Sequence, residues 1–288
     1  MSLTERIVQT RASHPEKVRQ ILAERPRGVM PAHDQKLMII ACDHPARGAL
    51  GAGQDDMAMA SREELLGRCV EALGRPGVHG FLGTADMIED LAILGALDGK
   101  LVYGSMNRGG LAGASFEMDD RFTGYDAQGV ADSGLDGGKM LMRINYSDPA
   151  TVATIESCAK AVDELAERQL MAMVEPFVSE WVSGRIVNTL TPEAVIRSIA
   201  IAAGLGRTSA YTWLKLPAVE DMERVMEAST LPALILGGVV PEDPDQALEE
   251  WRTALALPTV RGLVIGRSLL FPPSGDVAAA VDEAVNLL

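Results

Sequence analysis

The 288-residue sequence predicts an α/β fold, a single (β/α)8 (TIM) barrel with an extra N-terminal helix. Three observations carry this expectation. Eight short apolar runs recur along the chain, each followed by a segment with helical periodicity. The runs are apolar almost throughout rather than alternating, as parallel strands covered on both faces require. No Gly-x-Gly-x-x-Gly turn follows the first run, which disfavours a doubly wound open sheet.

Taken in order, Ser13-His14-Pro15-Glu16 has the form of a helix cap and capping box, opening a helix to about Glu24 within an extension over residues 1–35. Leu37–Cys42 is the first strand, ending in Asp43-His44-Pro45, and the glycine-rich stretch 48–53 is a loop. Ser61 caps a helix to Leu73; Val78–Leu82 is the second strand, Thr84–Leu97 is helical, and Leu101–Met106 is the third strand. Residues 107–122 form the one long irregular stretch, and such loops are functional lids or disordered segments. After a short helix over 124–133, Lys139–Ile144 is the fourth strand. Asp148-Pro149 opens a long helix to Arg168, and Leu170–Pro176 is the fifth strand. Thr191-Pro192-Glu193 opens a helix to Ala203, and Ala210–Pro217 is the sixth strand. A helix over 219–228, a seventh strand Leu234–Leu236, a helix opened by Asp243-Pro244, an eighth strand Leu263–Ile265 and a C-terminal helix from Asp276 complete the chain. No linker divides it, so one domain over 1–288 is expected.

Composition narrows the function classes. A net charge of −14 argues against a nucleic-acid partner and requires a local positive site for any anionic substrate. No apolar run approaches membrane-spanning length, and the N-terminus lacks an apolar h-region, so neither a membrane partner nor a secretory leader is expected. Cys42, Cys69 and Cys158 have no metal-ligand spacing and fit a reducing, cytoplasmic setting. His14, His33 and His79 are scattered, so no metal site and no cofactor are expected. Barrels of this size often associate, which makes a homo-oligomer the expectation.

Barrel enzymes place catalytic groups at the C-terminal ends of strands. Here those ends carry Asp43 and His44, Lys139 and Arg143, Glu175, Lys215, Gly237 and Gly238, and Gly266 with Arg267. The two-residue period puts Ala41 with Asp43, Lys139 with Arg143, Met173 with Glu175, and Trp213 with Lys215 on common faces. Lys215 sits in an apolar strand, where burial lowers an amine's pKa and makes it nucleophilic. Lys139 and Glu175 are either catalytic or a buried ion pair without chemistry. The alternatives are a loop cap for Asp43, a structural or rim position for His44 beside the substrate, and a phosphate contact or rim ion pair for Arg143. Gly237, Gly238 and Gly266 expose backbone N–H groups before helix starts, and Arg267 adds a charged donor; together they suggest a phosphate cradle.

The ordered set Ala41-Cys42-Asp43-His44, Gly137-Gly138-Lys139, Val174-Glu175-Pro176, Trp213-Leu214-Lys215-Leu216-Pro217, Ala233–Gly238 and Gly262–Ser268 resembles the class I, Schiff-base aldolases. The nearest branches are the archaeal-type fructose-bisphosphate aldolases and the tagatose-bisphosphate aldolases, and the chain is similar to a bacterial branch of these. The resemblance implies a Schiff-base lysine at Lys215 and proton handling by Asp43. It also implies assistance from Lys139 and Glu175, and phosphate binding at Gly238, Gly266 and Arg267. The reaction it implies is cleavage of a phosphorylated keto-sugar, with fructose- or tagatose-bisphosphate and 6-phospho-5-dehydro-2-deoxygluconate as candidate substrates. The departures are the loop 43–48, the long segment from Lys139 to Asp148-Pro149, the loop Asn107-Arg108-Gly109-Gly110 at the distal end of the pocket, and Arg143, which has no obvious family counterpart. The rival readings are a non-covalent sugar-phosphate isomerase or lyase of the same fold, and a non-catalytic sugar-phosphate-binding protein.

Overall fold

The computed structural model of the chain describes residues 1–238, 240 and 244–288. Eight parallel strands close into a barrel: β1 (Leu37–Cys42), β2 (Gly80–Gly83), β3 (Leu101–Ser105), β4 (Gly137–Ile144), β5 (Met171–Val182), β7 (Thr212–Pro217), β8 (Ala233–Leu236) and β9 (Val260–Ile265). The strand order is β4-β3-β2-β1-β9-β8-β7-β5, and the β4–β5 pairing closes the ring. The extra strand β6 (Arg185–Asn188) pairs antiparallel with the far end of β5 as a hairpin outside the ring.

Helices α1 (Leu3–Ser13) and α2 (Glu16–Glu24) precede the barrel. The others among the described residues are α3 (Arg62–Leu73), α4 (Ala85–Ile93), α5 (Ala127–Asp132), α6 (Ala150–Glu167), α7 (Pro192–Ala203), α8 (Met222–Met226), α9 (Pro244–Leu255), α10 (Arg267–Leu270) and α11 (Val277–Val285). No helix among the described residues is long and apolar enough to cross a membrane.

The N-terminus corrects one expectation. The capping box is at Ser2 and Glu5, not at Ser13 and Glu16. Ser2 Oγ accepts from Glu5 N–H while the Glu5 carboxylate accepts from Ser2 N–H, so a helix starts there and runs through Ser13. The second helix starts after Pro15 with no side-chain cap. The extension thus holds two helices, and the one expected from the sequence is the second. A further correction concerns β5, which continues through Pro176 to Val182 instead of stopping there. Pro176 lies in register with Met142, and the strand carries on beyond the barrel rim into the β6 hairpin. Asp243, expected to cap α9, lies outside the described residues.

Burial divides into two layers. One cluster lies between the strands and the helices and holds most of the apolar residues. A smaller one fills the barrel interior with Leu37, Ile39, Ala41, Leu82, Tyr103, Met173 and their neighbours. The inward faces therefore run 37-39-41 on β1 and 171-173 on β5, the period expected from the sequence. Continued upward, the same faces deliver Asp43, Ser105, Lys139, Arg143, Glu175 and Lys215 to the C-terminal mouth.

Candidate active site

The interior packing is apolar up to Ala41, Tyr103 and Met173, and charged above them. Register explains the meeting of the next layer. Ser105 lies beside Lys139, Lys139 beside Met173, and Glu175 two residues above Met173 beside Leu141. Met173 is in register with Trp213, which places Lys215 level with Glu175 across the β5–β7 pair.

The structure brings Lys215, Asp43, Lys139 and Glu175 into one connected cluster. Lys215 Nζ donates to Glu175 Oε1 at 2.6 Å. Lys139 pairs with the other Glu175 oxygen and lies 3.3 Å from Asp43 Oδ2. Asp43 Oδ2 also accepts from Ser105 Oγ at 3.1 Å and pairs with Arg108. Asp43 Oδ1 has no hydrogen bond, and His44 Nδ1 lies 3.7 Å from it. All five charged side chains are nearly or fully buried. Arg108 is the member that the sequence reading missed. It stands in the irregular stretch after β3, where no periodicity marks an inward direction.

Burial lowers the Lys215 amine, and Arg108 and Arg267 add to this against the opposing pull of Glu175. Burial and Arg108 hold Lys139 well below the ordinary lysine value. Burial by itself raises the Glu175 carboxyl, but Lys139, Lys215 and Arg108 overcome it and hold the group well below its ordinary range. Burial also brings Arg108 down to about 10. Burial and the nearby Arg267 and Lys215 push His44 well below its ordinary value, so its ring is neutral at pH 7. The cluster holds three cations (Lys139, Lys215, Arg108) against two carboxylates (Asp43, Glu175), and losing one proton balances it. Lys139 touches both carboxylates and Lys215 only one, and burial lowers both amines, so the two lysines titrate as a coupled pair.

Lys215 and Glu175 open onto a cavity of about 600 Å³ at the barrel mouth, lined also by His44, Arg108, Gly237, Gly238, Gly266 and Arg267. Asp43 and Lys139 are not part of this lining; they stand behind it. The β8 and β9 ends carry polar atoms without partners. Arg267 donates to Gly238 O at 3.2 Å, but its Nε and Ser268 Oγ are buried and unbonded. Gly238 has φ +65°, and a Cβ on Gly237 would fall 2.9 Å from Ser268 Oγ, so glycine keeps this corner open. Helix α10 has a single turn, so the corner offers N–H groups and side chains rather than a strong macrodipole.

Arg143 has partners other than those expected of a phosphate ligand. Its guanidinium grips Asp120 through Nε at 2.8 Å and Nη2 at 2.7 Å, and reaches Glu117 Oε1 at 3.2 Å and the Glu117 carbonyl. Arg47 holds the same Glu117 carboxylate at 3.1 Å and the Gly110 carbonyl at 2.9 Å. The stretch 107–122 is therefore pinned over the mouth. Its base is fixed by Asn107, fully buried, which bonds Leu141 O at 2.6 Å, Leu141 N at 2.7 Å and Asp120 O at 3.1 Å. Asn107→Ala leaves those groups without partners and is expected to lower stability by about 2–3 kcal/mol, measured by urea unfolding.

Among the described residues, no group of three or more side chains comes together that could hold a metal ion.

The Cgl0159-like family matches residues 35–285. The crystal structure of Cgl0159 from Corynebacterium glutamicum is 56% identical with a TM-score of 0.96, over 99% of this chain and 96% of that one. A fructose-1,6-bisphosphate aldolase described as Schiff-base-forming is 17% identical with a TM-score of 0.64, over 94% and 99%. The fructose-bisphosphate aldolase from Slackia heliotrinireducens is 15% identical with a TM-score of 0.62, over 88% and 85%. A search of curated proteins returned no match. At these identities the aldolase likenesses establish the (β/α)8 barrel fold. The extent of the family match and the 56% identity over almost the whole chain establish the rest: the chain belongs to the Cgl0159-like family.

Proposed function

We propose that the protein is a class I aldolase, a carbon–carbon lyase that cleaves a phosphorylated keto-sugar through a Schiff base on Lys215. The observation that carries this reading is the Lys215 amine, buried 2.6 Å from Glu175 and facing the cavity beside the unbonded Arg267 and Ser268 atoms.

The neutral amine adds to the substrate ketone, giving a carbinolamine that loses water to an iminium. The C–C bond two atoms away breaks as the hydroxyl on its far carbon gives up a proton and becomes the aldehyde. The bonding electrons pass into the iminium, leaving an enamine. Protonation of the enamine and addition of water release the ketone product and restore the amine. Glu175 is the carboxylate in place to carry these protons, since it touches the amine and lines the cavity while Asp43 stands behind it. Lys139 and Asp43 then act by position: Lys139 bridges the two carboxylates, and Asp43 fixes Lys139 and Arg108. A phosphate at Arg267 orients the reacting carbons.

A panel of phosphorylated ketoses, assayed for release of a triose, tests this reading. Triose release supports cleavage. Interconversion of sugars without a triose product supports a non-covalent isomerase instead, and binding without turnover supports a sugar-phosphate-binding protein.

The reading also fixes a pH dependence. Only the unprotonated amine attacks, and the Lys215 pKa lies below its ordinary 10.5. Iminium formation should therefore rise with pH and level off short of 10.5. The initial rate of borohydride-dependent inactivation at saturating ketone, measured across pH, gives the midpoint. A midpoint at or above the ordinary value contradicts the account.

A further inference from the structure

The two ends of the cavity differ in charge balance, and this difference selects a substrate class. β9 and β4 lie opposite each other: four steps separate them in either direction round the ring. Arg267 stands just past the end of β9 and Arg143 on β4, with Lys215 on β7 between them.

At the β4 side every arginine already has a carboxylate. Arg108 is paired with Asp43, Arg47 with Glu117, and Arg143 with Glu117 and Asp120. Three cations meet three anions, and Arg143 has each of its guanidinium nitrogens bonded. A phosphate arriving there would have to displace a buried carboxylate from its arginine, and such an exchange leaves one anion without a partner.

At the β9 side the balance is different. Among the described residues, no carboxylate pairs with Arg267. Its Nε is buried and unbonded, and so is the Oγ of Ser268, a residue only 7% exposed. Buried donors without partners are rare in folded proteins and mark a place where a ligand supplies the acceptor. Lys215 has Glu175 in contact; among the described residues Arg267 has no carboxylate in contact.

We propose that the substrate carries a single phosphate, bound at Arg267, Ser268 and the Gly237-Gly238 corner, and that its far end, toward Arg47 and Arg143, is not phosphorylated. This rests on the aldolase reading for the position of the ketone, but the charge asymmetry stands without it. Of the substrates implied by the family resemblance, it disfavours the two bisphosphates.

Hexanediol monophosphate and hexanediol bisphosphate are suitable probes, because they have no stereochemistry and no ketone. Dissociation constants are measured by titration calorimetry with the full-length protein. A second phosphate in charge-assisted contact would add about tenfold or more in affinity. The expected result is that the bisphosphate binds no more than about fivefold tighter than the monophosphate. Arg267→Gln should weaken both probes by about tenfold. Glu117→Gln, which removes one countercharge at the β4 side, should shift the affinity ratio toward the bisphosphate by about fivefold or more. A larger bisphosphate preference in the wild-type protein overturns the proposal, as does failure of both probes to bind; the wild-type comparison decides even where a variant does not fold. Schiff-base formation is scored separately by borohydride reduction with dihydroxyacetone phosphate. A bisphosphate preference together with an adduct overturns only this inference. A monophosphate preference without an adduct overturns only the covalent reading.

Discussion

Lys215→Met is expected to reduce turnover on the order of 10⁴-fold or more while leaving the barrel folded. The size of the effect follows from the chemistry. Without the amine there is no iminium to take the electrons of the breaking bond, and the remaining groups can only move protons. Methionine fills a similar volume and is apolar, and Glu175 keeps Lys139 as its partner. Stability should therefore stay within about 2 kcal/mol of the parent. Turnover of the cleaved ketose and a urea unfolding curve check the two halves. A variant that retains near-normal turnover ends the covalent mechanism. A variant that loses turnover only because it has unfolded is recognised by the second measurement.

Glu175→Leu should be the most destabilising single change in the site, by about 3–5 kcal/mol at pH 7. Glu175 is the shared anion of Lys139 and Lys215, and leucine leaves both ammonium groups buried without it. The sign with pH is fixed by the directions of the shifts. Burial holds both amines below the ordinary 10.5, so the fold disfavours their protonated forms. Their contribution to stability rises as pH rises from the lowered folded value toward 10.5. Glu175 works the other way: its contribution is present above the ordinary 4.5 and is lost as pH falls toward its lowered folded value. The defect in Glu175→Leu should therefore shrink as the pH is raised toward the alkaline range, where the lysines lose their protons. Adding Lys139→Met to Glu175→Leu should recover part of the loss at pH 7, because one of the stranded cations is gone. Urea unfolding of the single and double variants at several pH values measures this. A defect that does not change with pH would mean that packing, not charge, carries it.

Much of the barrel and its mouth could be read from the residues alone. Continuous apolar runs identify buried parallel strands, and the two-residue period carries that information upward to Asp43, Lys139, Glu175 and Lys215. The parts that stayed hidden lack a period. Helix α1 is weakly amphipathic, with Ile7 as its one buried residue, so its start was signalled only by Ser2 and Glu5. The continuation of β5 past Pro176 was masked because proline ordinarily stops a strand, and here the chain runs on to form a hairpin. Arg108, Glu117 and Asp120 lie in a stretch whose backbone is irregular. Nothing in the spacing of 107–122 says that Asp120 meets Arg143, or that Arg108 meets Asp43. Arg143 could be placed at the mouth by its alternation with Lys139, but its partners come from that stretch. A charged side chain near a cavity suggests a ligand until its counter-ion is seen.

The amine itself allows the most direct test. The protein is incubated with dihydroxyacetone phosphate or a cleavable ketose phosphate, reduced with borohydride, digested and mapped by mass spectrometry. The account predicts a reduced adduct on the peptide holding Lys215, absent when ketone or borohydride is omitted. An unmodified Lys215 alongside measurable turnover, or an adduct confined to Lys139, would contradict it.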